Sequence, residues 1–66
     1  MEIGDLVKRK KPFPEEKDQL WLITNIEDVE DSAHKFKFIY VMNTYNSYSS
    51  KFISHIFYES FEKVEE

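Results

Sequence analysis

Two short apolar segments, Ile3-Gly4-Asp5-Leu6-Val7 and Trp21-Leu22-Ile23-Thr24-Asn25-Ile26, constrain this chain most. Between them stands Lys11-Pro12-Phe13-Pro14. Its two prolines remove ladder donors and cannot sit inside a central strand. Ile3 to about Lys10 therefore reads as a first strand that must stop, and Leu20 to Ile26 as a second that starts afresh. The second is almost continuously apolar at its start, as expected for a strand covered on both faces. Gly4, the one glycine present, is expected to mark a backbone irregularity or a close approach. A polar loop is expected from Glu15 to Gln19.

Lys35-Phe36-Lys37-Phe38-Ile39-Tyr40-Val41-Met42 is the clearest strand. Phe36, Phe38, Tyr40 and Met42 share one face, and Lys35, Lys37, Ile39 and Val41 share the other. The second face changes from charged to apolar midway, which suits a strand that starts at an edge and runs beneath neighbouring structure. Glu27 to His34, before it, reads as an acidic turn region. Asn43-Thr44-Tyr45-Asn46-Ser47, after it, is turn chemistry, because asparagine tolerates left-handed backbone in place of glycine.

The C-terminal third carries two patterns at once. Phe52, Ile53, Ile56, Phe57, Phe61 and Val64 fit a helical stripe that Ser49 or Ser50 could cap. Lys51 to Phe57 is nevertheless dense in β-branched and aromatic residues, which are poor helix formers. In the strand reading Phe52 and Ile56 lie on one face, Ile53 and Phe57 on the other. Tyr58-Glu59-Ser60 then makes a turn, and Phe61-Glu62-Lys63-Val64 a last brief strand.

With 66 residues the chain makes one domain, 1–66, that buries only about 60% of its unfolded surface. Six Phe, four Tyr and one Trp are the means of filling so small a core. No cysteine is present, so neither disulfides nor thiolate metal sites staple it. No apolar run approaches the ~20 residues that cross a bilayer. The start Met1-Glu2-Ile3 also lacks the basic-then-apolar pattern of a signal peptide. A soluble, cytoplasmic protein is the expectation.

The segments together resemble a group of very small Src-homology-3-like barrel proteins common among tailed phages, particularly phages of marine bacteria. The residues carrying the resemblance are Gly4-Asp5-Leu6-Val7, Leu22-Ile23-Thr24-Asn25-Ile26, Phe38-Ile39-Tyr40-Val41, Ile53-Ser54-His55 and Phe61-Glu62-Lys63-Val64. Each is four to six residues or fewer of generic strand chemistry, though together they span nearly the whole chain. The group usually has a glycine before the second strand and another between the third and fourth. Here Leu20-Trp21 and Tyr45 to Ser49 stand instead, so wider turns are expected. The resemblance implies an all-β, five-stranded barrel; the alternative is a three-stranded antiparallel sheet with a C-terminal helix.

Candidate sites are few. His34 and His55 lack the convergent ligands of a zinc centre and read as ordinary loop and strand residues. Asp5 reads as a turn-stabilising acceptor, and Ser47, Ser49 and Ser50 as loop residues without a base. The net charge is −4, from 13 acidic and 9 basic residues, which weighs against general nucleic-acid binding. Lys8-Arg9-Lys10-Lys11 is still a compact basic cluster, and Phe13 is fixed between prolines beside it. Among Tyr40, Tyr45, Tyr48 and Tyr58, the turn residues Tyr45 and Tyr48 are the ones expected to reach a partner. The candidate contact set is thus Lys8, Arg9, Lys10, Lys11, Phe13, Tyr45 and Tyr48.

These residues suit a noncatalytic interaction protein: a phage-type barrel that binds a host or virion protein, or a second copy, through aromatics beside a charged loop. Its place would be the host cytoplasm or the virion. One alternative is a nucleic-acid-associated module using Lys8 to Lys11 with Phe13 or Tyr48. Another is an acidic mimic of DNA that blocks a DNA-binding protein. An enzyme is not expected, since a domain of this size seldom encloses the ~300–1,000 Å³ that ligands occupy. No cofactor, metal, membrane or small-molecule substrate is implied.

Overall fold

The computed structural model describes residues 1–14 and 19–64; most of the polar loop expected from Glu15 to Gln19, and the acidic Glu65 and Glu66, lie outside the described residues. Five strands, β1 (Leu6–Arg9), β2 (Trp21–Glu30), β3 (Lys35–Asn43), β4 (Ser49–Ile53) and β5 (Phe61–Lys63), form one sheet in the order β4-β3-β2-β1-β5. Every neighbouring pair is antiparallel. A seven-residue helix, α1 (Ser54–Ser60), carries the chain from β4 at one edge to β5 at the other.

Alternation along the strands decides the core. Val7, Trp21, Ile23, Ile39 and Val41 point to one side, where Phe57 of α1 and Phe61 of β5 meet them. Of the two faces of β3, then, Ile39 and Val41 carry the core, while Phe36, Phe38, Tyr40 and Met42 stay half-buried on the outer side. A flat sheet would hold the β4 and β5 edges about 19 Å apart, four strand spacings. Instead the rings of Phe52 in β4 and Phe61 in β5 lie 5.3 Å apart, so the sheet curls until its edges share side chains. Among the described residues no ladder joins β4 to β5, and in its hydrogen bonding the sheet is open.

Three expectations are corrected. The first strand is shorter than Ile3 to Lys10, because Gly4 takes φ +95° in a turn that precedes it. Nothing lies within 4 Å of a Cβ placed on Gly4, so backbone freedom rather than close approach explains the residue. Asp5 fastens that turn, accepting the Glu2 N–H at 2.8 Å.

Second, Glu27 to Glu30 is strand, not turn. β2 and β3 pair from Trp21↔Asn43 to Glu30↔Lys35, with a bulge between Ile23 and Asn25. Lys37 reaches Asp28 and Lys35 reaches Glu30, each at 3.8 Å. Opposite charges facing each other across a ladder support strand where apolar alternation is missing. The resulting hairpin projects past its neighbours, and the molecule measures 41 × 23 × 19 Å.

Third, Ser54–Ser60 is helix, bounded by strands on both sides. Neither the all-strand nor the all-helix pattern of this third holds alone. Ile53 stands at the N-cap without a side-chain cap bond, so Ser49 and Ser50 do not cap it. A single helix this short is marginal in water; Phe57, buried in the aromatic cluster, is what holds it. The described residues therefore hold five strands rather than the three of the alternative architecture, together with one short helix.

The hairpin ends at Asp31, whose Oδ1 accepts the N–H groups of Ala33 and His34, both at 2.8 Å. These two bonds, Ala33 first, hold the carboxyl below the usual carboxylate range. Since the folded value is the lower one, the turn is supported above the unfolded pKa and loses that support as pH falls through the folded value. In an NMR titration the Ala33 and His34 amides are expected to shift with a midpoint below that of an unstructured aspartate. A midpoint at or above it contradicts this account.

Candidate functional site

Asn43 closes β3 at the parity of Ile39 and Val41, which turns its amide inward; it is 2% exposed and is the buried polar residue of the core side. A buried amide must find partners. Its Nδ2 donates to Gln19 Oε1 at 2.7 Å, and its Oδ1 accepts the N–H of Tyr45 at 2.7 Å and of Asn46 at 3.3 Å. Asn43 N–H donates to the Tyr48 carbonyl at 2.7 Å, and Ser47 N–H to the Asn43 carbonyl at 2.8 Å. Asn46 Oδ1 accepts the Tyr48 N–H at 2.9 Å. Ser47, at φ +61°, takes the left-handed position that a glycine would otherwise fill. Thr44 donates both its N–H and its Oγ1 to the Leu20 carbonyl, tying the turn to the start of β2.

This five-residue turn is built to hold still, yet what it displays is not packed. Tyr45 is 81% exposed and Tyr48 65%. Tyrosine offers a large amphipathic surface with only two torsions to freeze, and tyrosine, serine and asparagine together are the composition of adaptable protein-binding loops. The turn and its flanks read Asn43-Thr44-Tyr45-Asn46-Ser47-Tyr48-Ser49-Ser50.

The basic segment leaves the sheet at the same end, since Val7 pairs with Trp21 and Trp21 with Asn43. Strand alternation splits it. Lys8 faces outward and pairs with Glu62 at 3.6 Å. Arg9 lies on the other side with its guanidinium 5.4 Å from the Trp21 ring and 5.0 Å from the Phe61 ring. Lys10 donates from Nζ to the Tyr58 carbonyl at 2.8 Å, completing the last turn of α1. Lys11 is exposed and, with Arg9, Lys10, Glu59 and Ser60, lines a cleft of about 270 Å³. Phe13 is 67% exposed. The seven candidate residues thus gather at one end of the sheet, but the four basic ones form no common face. Three of them already serve contacts within the chain.

A second cleft, of about 600 Å³, opens at the opposite end between the projecting hairpin and α1. Its size lies within the range that ligands use, which the length of the chain did not suggest. Asp28, Glu30, Lys35, Lys37, Ser54 and Tyr58 are among its lining residues, and the four charges are matched in the two ion pairs of the hairpin. His34 lies 3.6 Å from Asp31, and His55 is exposed on α1. No group of three or more His, Cys, Asp or Glu is placed to hold a metal ion among the described residues. None of their helices is long and apolar enough to cross a membrane.

The inward amide of Asn43 was missed by turn chemistry alone. Its signal was present in the sequence: an asparagine two residues beyond Val41 and four beyond Ile39, at the same parity. No protein-family model, curated protein or solved structure matches the chain.

Proposed function

We propose that the chain is a noncatalytic interaction protein that presents Tyr45 and Tyr48 to a protein partner. One observation carries the reading: a turn fixed by hydrogen bonds at nearly every residue holds two largely exposed tyrosines. Ordering the turn before binding lowers the entropy lost on association. Phe13 and Lys11, exposed at the same end, extend the contact and favour a partner with an acidic rim.

On this reading the curled sheet is a small Src-homology-3-like barrel. The strand order, the helix between β4 and β5, and the contact of Phe52 with Phe61 support it. The resemblance to small phage barrels supports a host or virion protein as the partner, met in the host cytoplasm or the particle. Nucleic acid is the weaker reading, since Lys8, Arg9 and Lys10 are engaged within the fold.

The test is capture from host lysate on immobilised protein, compared with Tyr45→Ala/Tyr48→Ala. Wild type is expected to retain a defined protein, and the double variant to bind it at least 30-fold more weakly, the loss typical of interface anchors. Its melting temperature should stay within the change of about 0.5 kcal/mol usual for surface substitutions. Equal retention by both proteins, or none by either, defeats the reading.

A further inference from the structure

β2 is the longest strand, yet only its beginning has a neighbour on each side. β1 pairs with it at Trp21 and Leu22, and the last bonds on that side join Ile23 to Gly4 and Asp5. From Asn25 to Glu30 the strand has β3 on one side and, among the described residues, no pairing partner on the other. The register says which backbone groups this edge shows. Asn43 N–H donates to the Tyr48 carbonyl, on the β4 side of β3, so by alternation Ile39, Lys37 and Lys35 turn their backbone groups to that side too. Their partners across the ladder, Ile26, Asp28 and Glu30, then turn theirs away from β3. The bond from Asp31 N–H to the His34 carbonyl, at the end of the hairpin, sets the same parity independently. Ile26, Asp28 and Glu30 thus each offer an N–H and a C=O beside β2, over a length of about 14 Å. The group that matches such a row is the backbone of another extended strand.

The side chains of the edge decide whose strand it takes. A second copy could meet it through the same edge, β2 against β2 about a two-fold axis. Each such register sets acid against acid. Pairing Asp28 with Asp28 opposes two carboxylates, pairing Ile26 with Asp28 sets Glu27 opposite Glu27, and pairing Asp28 with Glu30 joins two more. Like charges directly opposite destabilise a ladder. The edge therefore rejects its own copy and suits a basic strand. Asp28 and Glu30 have a lysine on their β3 flank only, at 3.8 Å, and their side chains remain 83% and 67% exposed. Pairs so exposed hold little, and the other flank of each carboxylate is open to a second cation. Val29, between them, faces the opposite side of the sheet and suits an apolar neighbour. We infer that the edge of β2 from Asn25 to Glu30 receives an extended segment of a partner protein as an added strand, with lysine or arginine beside Asp28 and Glu30. The backbone gives the contact its strength, and the carboxylates choose the partner.

This edge lies at the opposite end of the sheet from the tyrosine turn, so either surface can fail without the other. The test titrates the full chain, labelled with nitrogen-15, with the capped peptide Thr-Lys-Val-Lys-Val-Lys-Thr to about 2 mM, a range that detects dissociation constants near 1 mM. Amide exchange is expected to slow at Ile26, Asp28 and Glu30 and to stay unchanged at Glu27 and Val29, whose N–H groups already face β3. The same peptide N-methylated at its lysines keeps every charge but loses those donors, and is expected to bind at least tenfold more weakly. So is the peptide with glutamate in place of lysine. Asp28→Pro removes an outward N–H and spares the β2–β3 ladder, the position at which an edge strand tolerates proline. It is expected to melt within about 5 °C of wild type, a change of roughly 1 kcal/mol or less, and to weaken the basic peptide at least tenfold. Asp28→Asn, which removes charge alone, should weaken it about threefold. If Asp28→Pro does not fold, the N-methylated peptide decides. The inference is overturned by no binding at 2 mM, by binding that survives N-methylation, by equal binding of the glutamate peptide, or by shifts at Tyr45 and Tyr48 in place of the edge.

Discussion

Phe57→Ala is expected to leave the chain largely unfolded at 37 °C. The ring is wholly buried and lies 4.8 Å from that of Phe61, stacked, and 6.3 Å from that of Phe52. Removing a buried phenylalanine costs about 3–5 kcal/mol. At roughly 0.05–0.15 kcal/mol per residue, a chain of this length has about 3–10 kcal/mol in all. The same loss lowers the melting temperature by some tens of degrees at about 4–8 °C per kcal/mol. α1 has no cap to fall back on, and its departure would expose the Phe52–Phe61 contact that bends the sheet. Ile56→Ala, one residue away and 45% exposed, should cost under about 1 kcal/mol. Near-ultraviolet circular dichroism and thermal melts of the pair decide the matter. A Phe57→Ala protein melting within 5 °C of wild type would refute the assignment of the core.

Asn43→Ala is expected to combine a stability loss with a binding loss. It strips the acceptor from the Tyr45 and Asn46 amides and the donor from Gln19, around a side chain that is itself buried. Leaving buried polar groups unmet costs about 1–3 kcal/mol each, and about 2–3 kcal/mol is expected after the turn relaxes toward solvent. Partner affinity should fall although both tyrosine side chains remain, because the order of the turn is what the substitution removes. The checks are the urea midpoint, amide exchange at Tyr45 to Tyr48, and the capture assay used for the tyrosine variants. Unchanged exchange at those amides would mean that the turn stands without Asn43.

How much of this could be read from residues differs by element. β3 was legible from Lys35 to Met42 from its β-rich two-residue pattern, and only its last residue, Asn43, was read as turn. β1 and the beginning of β2 were legible because prolines separate them. The far half of β2 was hidden, since Glu27, Asp28 and Glu30 look like loop until Lys35 and Lys37 are placed across from them. α1 was hidden for the opposite reason: its residues favour strand, and only Phe57 meeting the cluster makes helix the better arrangement. Of the candidate contacts, Tyr45 and Tyr48 follow from turn chemistry. The basic run misleads in part, because Lys8 and Arg9 are sent to opposite sides of β1, while Arg9, Lys10 and Lys11 line one cleft.

The pairing of β5 with β1 places the two most distant strands of the sheet side by side. During synthesis the aromatic centre therefore cannot assemble until Phe61 has cleared the ribosome, by which time nearly every other element has waited, exposed, as a hairpin. Long-range closure of this kind makes folding slow for so short a chain. Until β5 is added, the partly made chain thus leaves the edge of β1 open to chaperones or proteases.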